Sequence, residues 1–141
     1  MAGAPTRIQH GELTMAIIRS FRDLRVYGQS RIEAQRIFQV TRTFPREEKY
    51  SLTDQIRRSS RAVKSMIAEA WGHRRYEAAF ISKLTDAIGE ANETQSWLDD
   101  ALDCGYITAP IHKDLDAAWQ SIGGGITKMI ERADDFCRNA K

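Results

Sequence analysis

Cysteine is scarce in this 141-residue chain: Cys104 and Cys137 are the only two, and they form no Cys-x-x-Cys pair. That argues against a zinc site on paired thiolates and fits a reducing compartment, or else a single disulfide. Long apolar runs are missing too, since none approaches the ~18 residues of a membrane span. The first residues lack the charged start and the apolar core of roughly 7–15 residues that mark a secretory signal, so a cytoplasmic location is expected. Neither sign of charge dominates: 21 Lys and Arg stand against 19 Asp and Glu, a net charge of +2. Arguments about partners must therefore rest on where the charge sits. No Gly-x-Ser-x-Gly elbow occurs. Gly123-Gly-Gly-Ile-Thr-Lys128 lacks the Gly-Lys-Ser/Thr order of a phosphate loop and follows no strand. No solenoid period or low-complexity tract is present. An enzyme is the least supported class, with no catalytic residues, metal ligands or cofactor expected.

What the chain does have is apolar periodicity. Leu84, Ile88, Ala91, Gln95, Leu98 and Leu102 form one ladder. Leu115, Trp119, Ile122, Ile126, Met129, Ala133 and Phe136 form another one short turn later. Spacings of three and four put each set on one side of an α-helix. The third helix is predicted from Tyr76 to Cys104, with Gly105 as its C-terminal glycine. The fourth runs from a threonine cap at Thr108, just before Pro110, to about Arg138. Gly123-Gly124-Gly125 interrupts it at ~1 kcal/mol per glycine relative to alanine. The ladder keeps its phase across them, so a kinked helix is expected, with room for another backbone to approach.

Two further helices precede these. The first should start at Asp23 as its cap and run to about Thr43, with a ragged apolar side of Val26, Ala34, Ile37, Phe38, Val40 and Thr41. Phe44-Pro45 ends it, and Pro45-Arg-Glu-Glu reads as a single turn. A capping box of Ser51 with Asp54 opens the second helix. Its seam is Leu52, Ile56, Ser59, Val63, Met66, Ile67 and Ala70, and Gly72 is its stop. Residues 1–22 read as a mobile arm containing His10, and Met15 as a second possible start. Residues 23–141 read as one bundle domain, long enough to bury roughly two-thirds of its unfolded surface. Short connections between long helices predict an all-α, antiparallel, up-down-up-down four-helix bundle.

Asp54-Gln55-Ile56-Arg57-Arg58-Ser59-Ser60, followed by Ile67-Ala68-Glu69-Ala70-Trp71-Gly72, resembles the signature of the small bacterial four-helix bundle proteins known as 23S rRNA-intervening-sequence or S23 proteins. Phe21-Arg22-Asp23-Leu24, Phe44-Pro45 and Glu93-Thr94-Gln95-x-Trp97-Leu98 through Cys104-Gly105-Tyr106 extend the match over roughly Phe21 to Ile130. Met66 and Ala70 depart from it, standing where the family usually has Asn and Gly. The resemblance implies a left-handed bundle, a ring-shaped homopentamer and no established enzymatic activity. A more distant analogy of fold and assembly connects such bundles to the accessory protein of diversity-generating retroelements, a basic pentamer that binds nucleic acid and a reverse transcriptase.

Arg57, Arg58, Arg61 and Lys64 cluster on the second helix, and Arg74 and Arg75 extend the charge past its end. Arg57, Arg61 and Lys64 fall opposite Leu52, Val63 and Ala70. Such a face can neutralise phosphates of RNA or DNA without reading sequence. The competing reading is a solvated face with glutamate partners from a neighbouring helix, or a protein-interaction scaffold in which the arginines serve subunit contacts. Only Trp71 and Tyr76 lie nearby, so no base-stacking groove is indicated. Trp97 sits off the core seam, grouped with Lys83, Ala87, Glu90, Thr94 and Ala101. Tryptophan on such a second face suggests a homo-oligomer contact through Trp97, Glu90, Thr94 and Ala101, or packing on a flanking helix of the same bundle. Gln95, on the seam, should find partners across the core or on a neighbouring helix. Glu69 and His73 are four apart, but the Glu-x-x-His set of di-iron bundles is absent. His112 has no sequence-level partner. Cys104 and Cys137 read as buried thiols.

Overall fold

Local signals decide where each helix begins and ends. Ser20 caps a single 3-10 turn, Phe21–Asp23, by accepting from the Arg22 N–H at 3.2 Å, while Asp23 accepts from the N–H groups of Arg19 and Ser20. Asp23 therefore closes a capping box rather than starting the first helix. Helix α1 spans Arg25–Thr41, and a second 3-10 turn, Arg46–Glu48, follows Pro45 as expected. Helix α2 spans Leu52–Gly72, α3 Glu77–Asp103, α4 Ala109–Glu131 and α5 Ala133–Arg138. The structure, a computed structural model, describes residues 18–138 and 140. His10, Met15 and the rest of residues 1–17 of the expected arm lie outside the described residues. Packing extends back beyond Asp23, since Ile18 lies against the core and Phe21 meets Tyr27 edge-on at 4.9 Å.

The protein is all-helical, with four main helices and no strand among the described residues. None of these helices is long and apolar enough to cross a membrane. Contacts between neighbours run in opposing order: Ser59 of α2 meets Thr94 of α3, while Glu69 meets Lys83. Likewise Gln95 and Asp99 of α3 meet Asp116 and His112 of α4.

The α2 and α4 seams bury as their periodicity predicts, except that Met66 is only half-buried. The α3 seam is displaced. Its buried residues are Phe80, Leu84, Ala87, Ala91, Thr94, Leu98 and Ala101, whereas Ile88, Gln95 and Leu102 are half-buried. Small side chains let α2 and α3 approach, and the Thr94 hydroxyl meets Ser59 Oγ at 2.8 Å and the Glu90 carbonyl at 2.9 Å. A hydroxyl bonded in this way is buried at little cost.

Three end signals need comment. The Ser51–Asp54 box does not form; Ser51 donates instead to Glu48 Oε1 at 2.6 Å, and the same oxygen accepts from the Leu52 N–H at 3.3 Å. Gly105, at φ +77°, ends α3 in a Schellman motif, with Tyr106 N–H on Ala101 O and Gly105 N–H on Leu102 O. The expected single fourth helix breaks at Arg132, whose φ of −108° and ψ of 25° separate α4 from α5. Cys104 is exposed and Cys137 only partly buried, so neither is a core thiol.

The glycine run stays helical within α4. Gly125 makes α1 possible at its observed distance, because a Cβ there would lie 2.7 Å from Val26 Cγ1. Gly124 faces open space. Gly124→Ala is therefore expected to stabilise the fold by roughly 0.5–1 kcal/mol. At Gly125→Ala that gain should vanish or reverse as Val26 shifts. Urea titration measures both, and equal gains would contradict the close approach.

At the same end of the bundle, the Tyr106 hydroxyl donates to Glu48 Oε2 at 2.8 Å, joining the α1–α2 turn to the α3–α4 turn. This bond to a carboxylate, with burial adding, pushes the Tyr106 pKa up from 10.0 to about 12. A raised folded value means the bond's contribution is intact below the unfolded value and lost as pH climbs from about 10 to about 12. In an ultraviolet titration of the four tyrosines, one should ionise late, and Tyr106→Phe should abolish that phase.

Candidate nucleic-acid interface

The six predicted cations do not share one face. Arg57 and Arg61, one turn apart on α2, both lie over the Phe38 ring of α1, with guanidinium carbons 4.7 and 5.7 Å from its centroid. Arg57 Nε also donates to Thr41 Oγ1 at 2.9 Å. Such stacking contributes about 0.5–1 kcal/mol at exposed sites, and it holds the planar groups in place while leaving outer N–H donors free. Lys64 continues this side by periodicity. Arg58 points to the opposite flank, toward Glu90 of α3. Burial raises the Glu90 pKa and Glu93 adds to the rise, while Arg58 opposes it.

Arg74 folds back on the bundle end: its guanidinium carbon is 3.5 Å from the Trp71 ring centroid, and Nε donates to the Trp71 carbonyl at 2.8 Å. Burial lowers its pKa from the ordinary arginine value. Arg75 is exposed. Among the described residues, none of these six cations has a carboxylate oxygen within 4.0 Å. No glutamate of the competing reading forms an ion pair with them among the described residues; Glu90 feels Arg58 only through its field.

Two more cations belong to this side. Arg31 and Arg42 are exposed and share the α1 face of Phe38 at spacings of seven and four. The positions 31, 38 and 42 carry that signal, but the ragged apolar side of the first helix hid it.

The other flank of α3 corrects the expected subunit contact. Thr94 and Ala101 are 0% exposed within a single chain, in the core against α2, so they cannot meet a second copy. Trp97 and Glu90 are half-buried on the flank facing α2, where Lys83 pairs with Glu69 at 3.5 Å. Trp97 packs against the core and its Nε1 donates to Glu93 Oε2 at 3.3 Å. Glu69 is thus engaged with Lys83 rather than coupled to His73. Gln95 leaves the seam for α4, donating to Asp116 Oδ1 and Gln120 Oε1, each at 3.1 Å.

Two features had no signal in the sequence. His112 meets Asp99 Oδ1 through Nε2 at 2.8 Å, and Asp116 stands beside them, so donor atoms of the three lie within 4.8 Å of one another. The α3–α4 turn brings these residues together. A groove of about 610 Å³ runs between α1 and α4, lined by Ile32, Val40, Ile111 and Leu115 with Arg36 and Asp114 paired across it. Ile32 is 63% exposed and Ile111 42%.

Comparison with known proteins adds two similarities. The family described as 23S rRNA-intervening sequence protein matches residues 22–128. A crystal structure at 1.70 Å resolution of a protein with unknown function, from the S23 ribosomal protein family of Bacteroides thetaiotaomicron VPI-5482, is similar at 30% sequence identity. The match covers 75% of this chain and 95% of that one, with a TM-score of 0.68. No curated protein matches the chain.

Proposed function

The chain belongs to the 23S rRNA-intervening sequence protein family, and from that premise we propose that it is a non-enzymatic accessory module that binds nucleic acid without reading its sequence. The observation that carries this reading is the unpaired state of the cations on α2 among the described residues, with Arg57 and Arg61 held on Phe38. Arginine suits phosphate because its planar group is always charged and offers several donors. Arg57, Arg61 and Lys64, with Arg31 of α1 and Arg42 at its C-terminal cap, would contact the backbone. Arg58, Arg74 and Arg75 contribute field rather than contact, being turned to another flank or to the bundle end.

The reading includes assembly with copies of itself. The opposing order of helix contacts supports an up-down-up-down bundle, and the family resemblance supplies its left hand and the closed ring of five. A ring would repeat the basic side five times and strengthen its field. Trp97 and Glu90 are the remaining candidates for the subunit contact. Light scattering at micromolar concentration is expected to give five times 16.0 kDa, about 80 kDa; a mass near 16 kDa would defeat the ring.

A protein-interaction scaffold is the second reading, favoured by the exposed Ile32 and Ile111 of the α1–α4 groove. A gel-shift assay with structured RNA and duplex DNA across a salt series separates the two. If the basic side binds phosphates, log affinity falls with log salt at a slope of about 0.9 per duplex-DNA phosphate contacted. Arg57→Glu with Arg61→Glu should abolish the shift while circular dichroism and mass are unchanged. Absence of binding at low salt would leave the scaffold.

A further inference from the structure

We propose that Asp99, His112 and Asp116 bind one divalent transition-metal ion, of the zinc or cobalt class, between α3 and the first two turns of α4. His112 and Asp116 are four residues apart on α4, so they project from one side a single turn apart. Asp99, near the end of α3, faces them, with its Oδ1 2.8 Å from His112 Nε2. One donor atom from each residue lies within 4.8 Å of the other two. Donors around a four-coordinate zinc with bonds of ~2.0–2.2 Å are separated by roughly 3.4 Å. Closing on an ion thus asks for side-chain shifts of about 1 Å, not for movement of either helix.

Charge supplies a second, separate argument. Neither Asp99 nor Asp116 has a lysine or arginine within 4.0 Å among the described residues. Within that distance His112 alone can carry a positive charge, and even a protonated imidazole leaves the trio at −1. A divalent ion with a neutral imidazole brings it to zero.

The Gln95 amide donates to Asp116 Oδ1 at 3.1 Å and is itself held by Gln120, an outer contact that fixes a ligating carboxylate. The His112 side chain is 18% exposed and that of Asp99 67%, so an ion has an open path. A nitrogen donor beside two carboxylates favours zinc-like ions over magnesium or calcium, which prefer oxygen alone. Three protein donors leave a coordination position for water.

The test is calorimetric titration of the full-length, metal-free protein with zinc chloride, paired with the visible absorption of added cobalt(II). Expected are one ion per chain and a cobalt spectrum of low coordination number. His112→Ala and the near-isosteric Asp116→Asn should each abolish both signals, and Gln95→Leu should weaken binding about tenfold. His73→Ala, at the exposed end of α2, should change nothing. Circular dichroism confirms that each variant folds. Absence of binding with zinc in tenfold excess over protein would overturn the proposal, leaving Asp99–His112 an ordinary surface ion pair. Binding that persists in both His112→Ala and Asp116→Asn would overturn it equally, by placing the ion elsewhere.

Discussion

The close approach of α2 to α3 sets the geometry of everything else in the molecule. It is possible because the facing strip of α3 is built from Ala87, Ala91, Thr94 and Ala101, which carry little side chain, with Phe80, Leu84 and Leu98 filling the spaces between. The one polar group in that strip is satisfied by Ser59 and by the Glu90 carbonyl. With this seam fixed, the residues of α2 pointing away from it are also fixed. Arg57 and Arg61 meet α1 at Phe38, while Arg58 and Glu69 meet the α3 flank. A basic side on α1 and α2 is thus a geometric result of burying the opposite side of α2.

Much of this could be read from residue order. Turn chemistry at Pro45, Gly105 and Thr108 is local and therefore legible. The α4 seam is legible because its buried positions hold large apolar residues, and on α2 Leu52, Ile56, Val63 and Ile67 mark the seam between smaller ones. On α3 two large apolar residues mislead: Ile88 and Leu102 lie at the seam's edge, while alanines and a threonine share its centre with Leu84 and Leu98. Hydropathy ranks side chains by the area they bury, but close helix packing selects small ones. That difference of one ladder position also makes Thr94 and Ala101 read as part of a second face. The Ser51 box fails for a different reason: Glu48 of the preceding turn takes the Ser51 hydroxyl on its Oε1 and the Ser51 N–H on its carbonyl.

For the candidate site, the cation cluster was visible because it is contiguous on one helix. Its division into a Phe38 side, a Glu90 flank and a Trp71 end depends on which neighbour each guanidinium meets. The Asp99–His112–Asp116 group had no local mark, because its members sit on two helices and converge through the α3–α4 turn. Net charge conceals the same separation. Helix α3 carries seven carboxylates and one lysine, while α2 carries four cations against Asp54 and Glu69. A chain near neutrality overall thus carries its two signs on different helices.

Gly123-Gly124-Gly125 has a consequence for motion as well as for packing. Three glycines in sequence remove about 3 kcal/mol of helix preference relative to alanine, a large share of the ~5–15 kcal/mol that holds a typical domain together. The middle of α4 is therefore helical on borrowed stability, taken from Ile122 and Ile126 buried on either side of it. Low intrinsic helix preference favours local opening and solvent exchange of these amides over those of an alanine-rich turn. The half carrying His112 and Asp116 and the half carrying Ile126 and Met129 are thus joined through the stretch that holds its helical form least by itself.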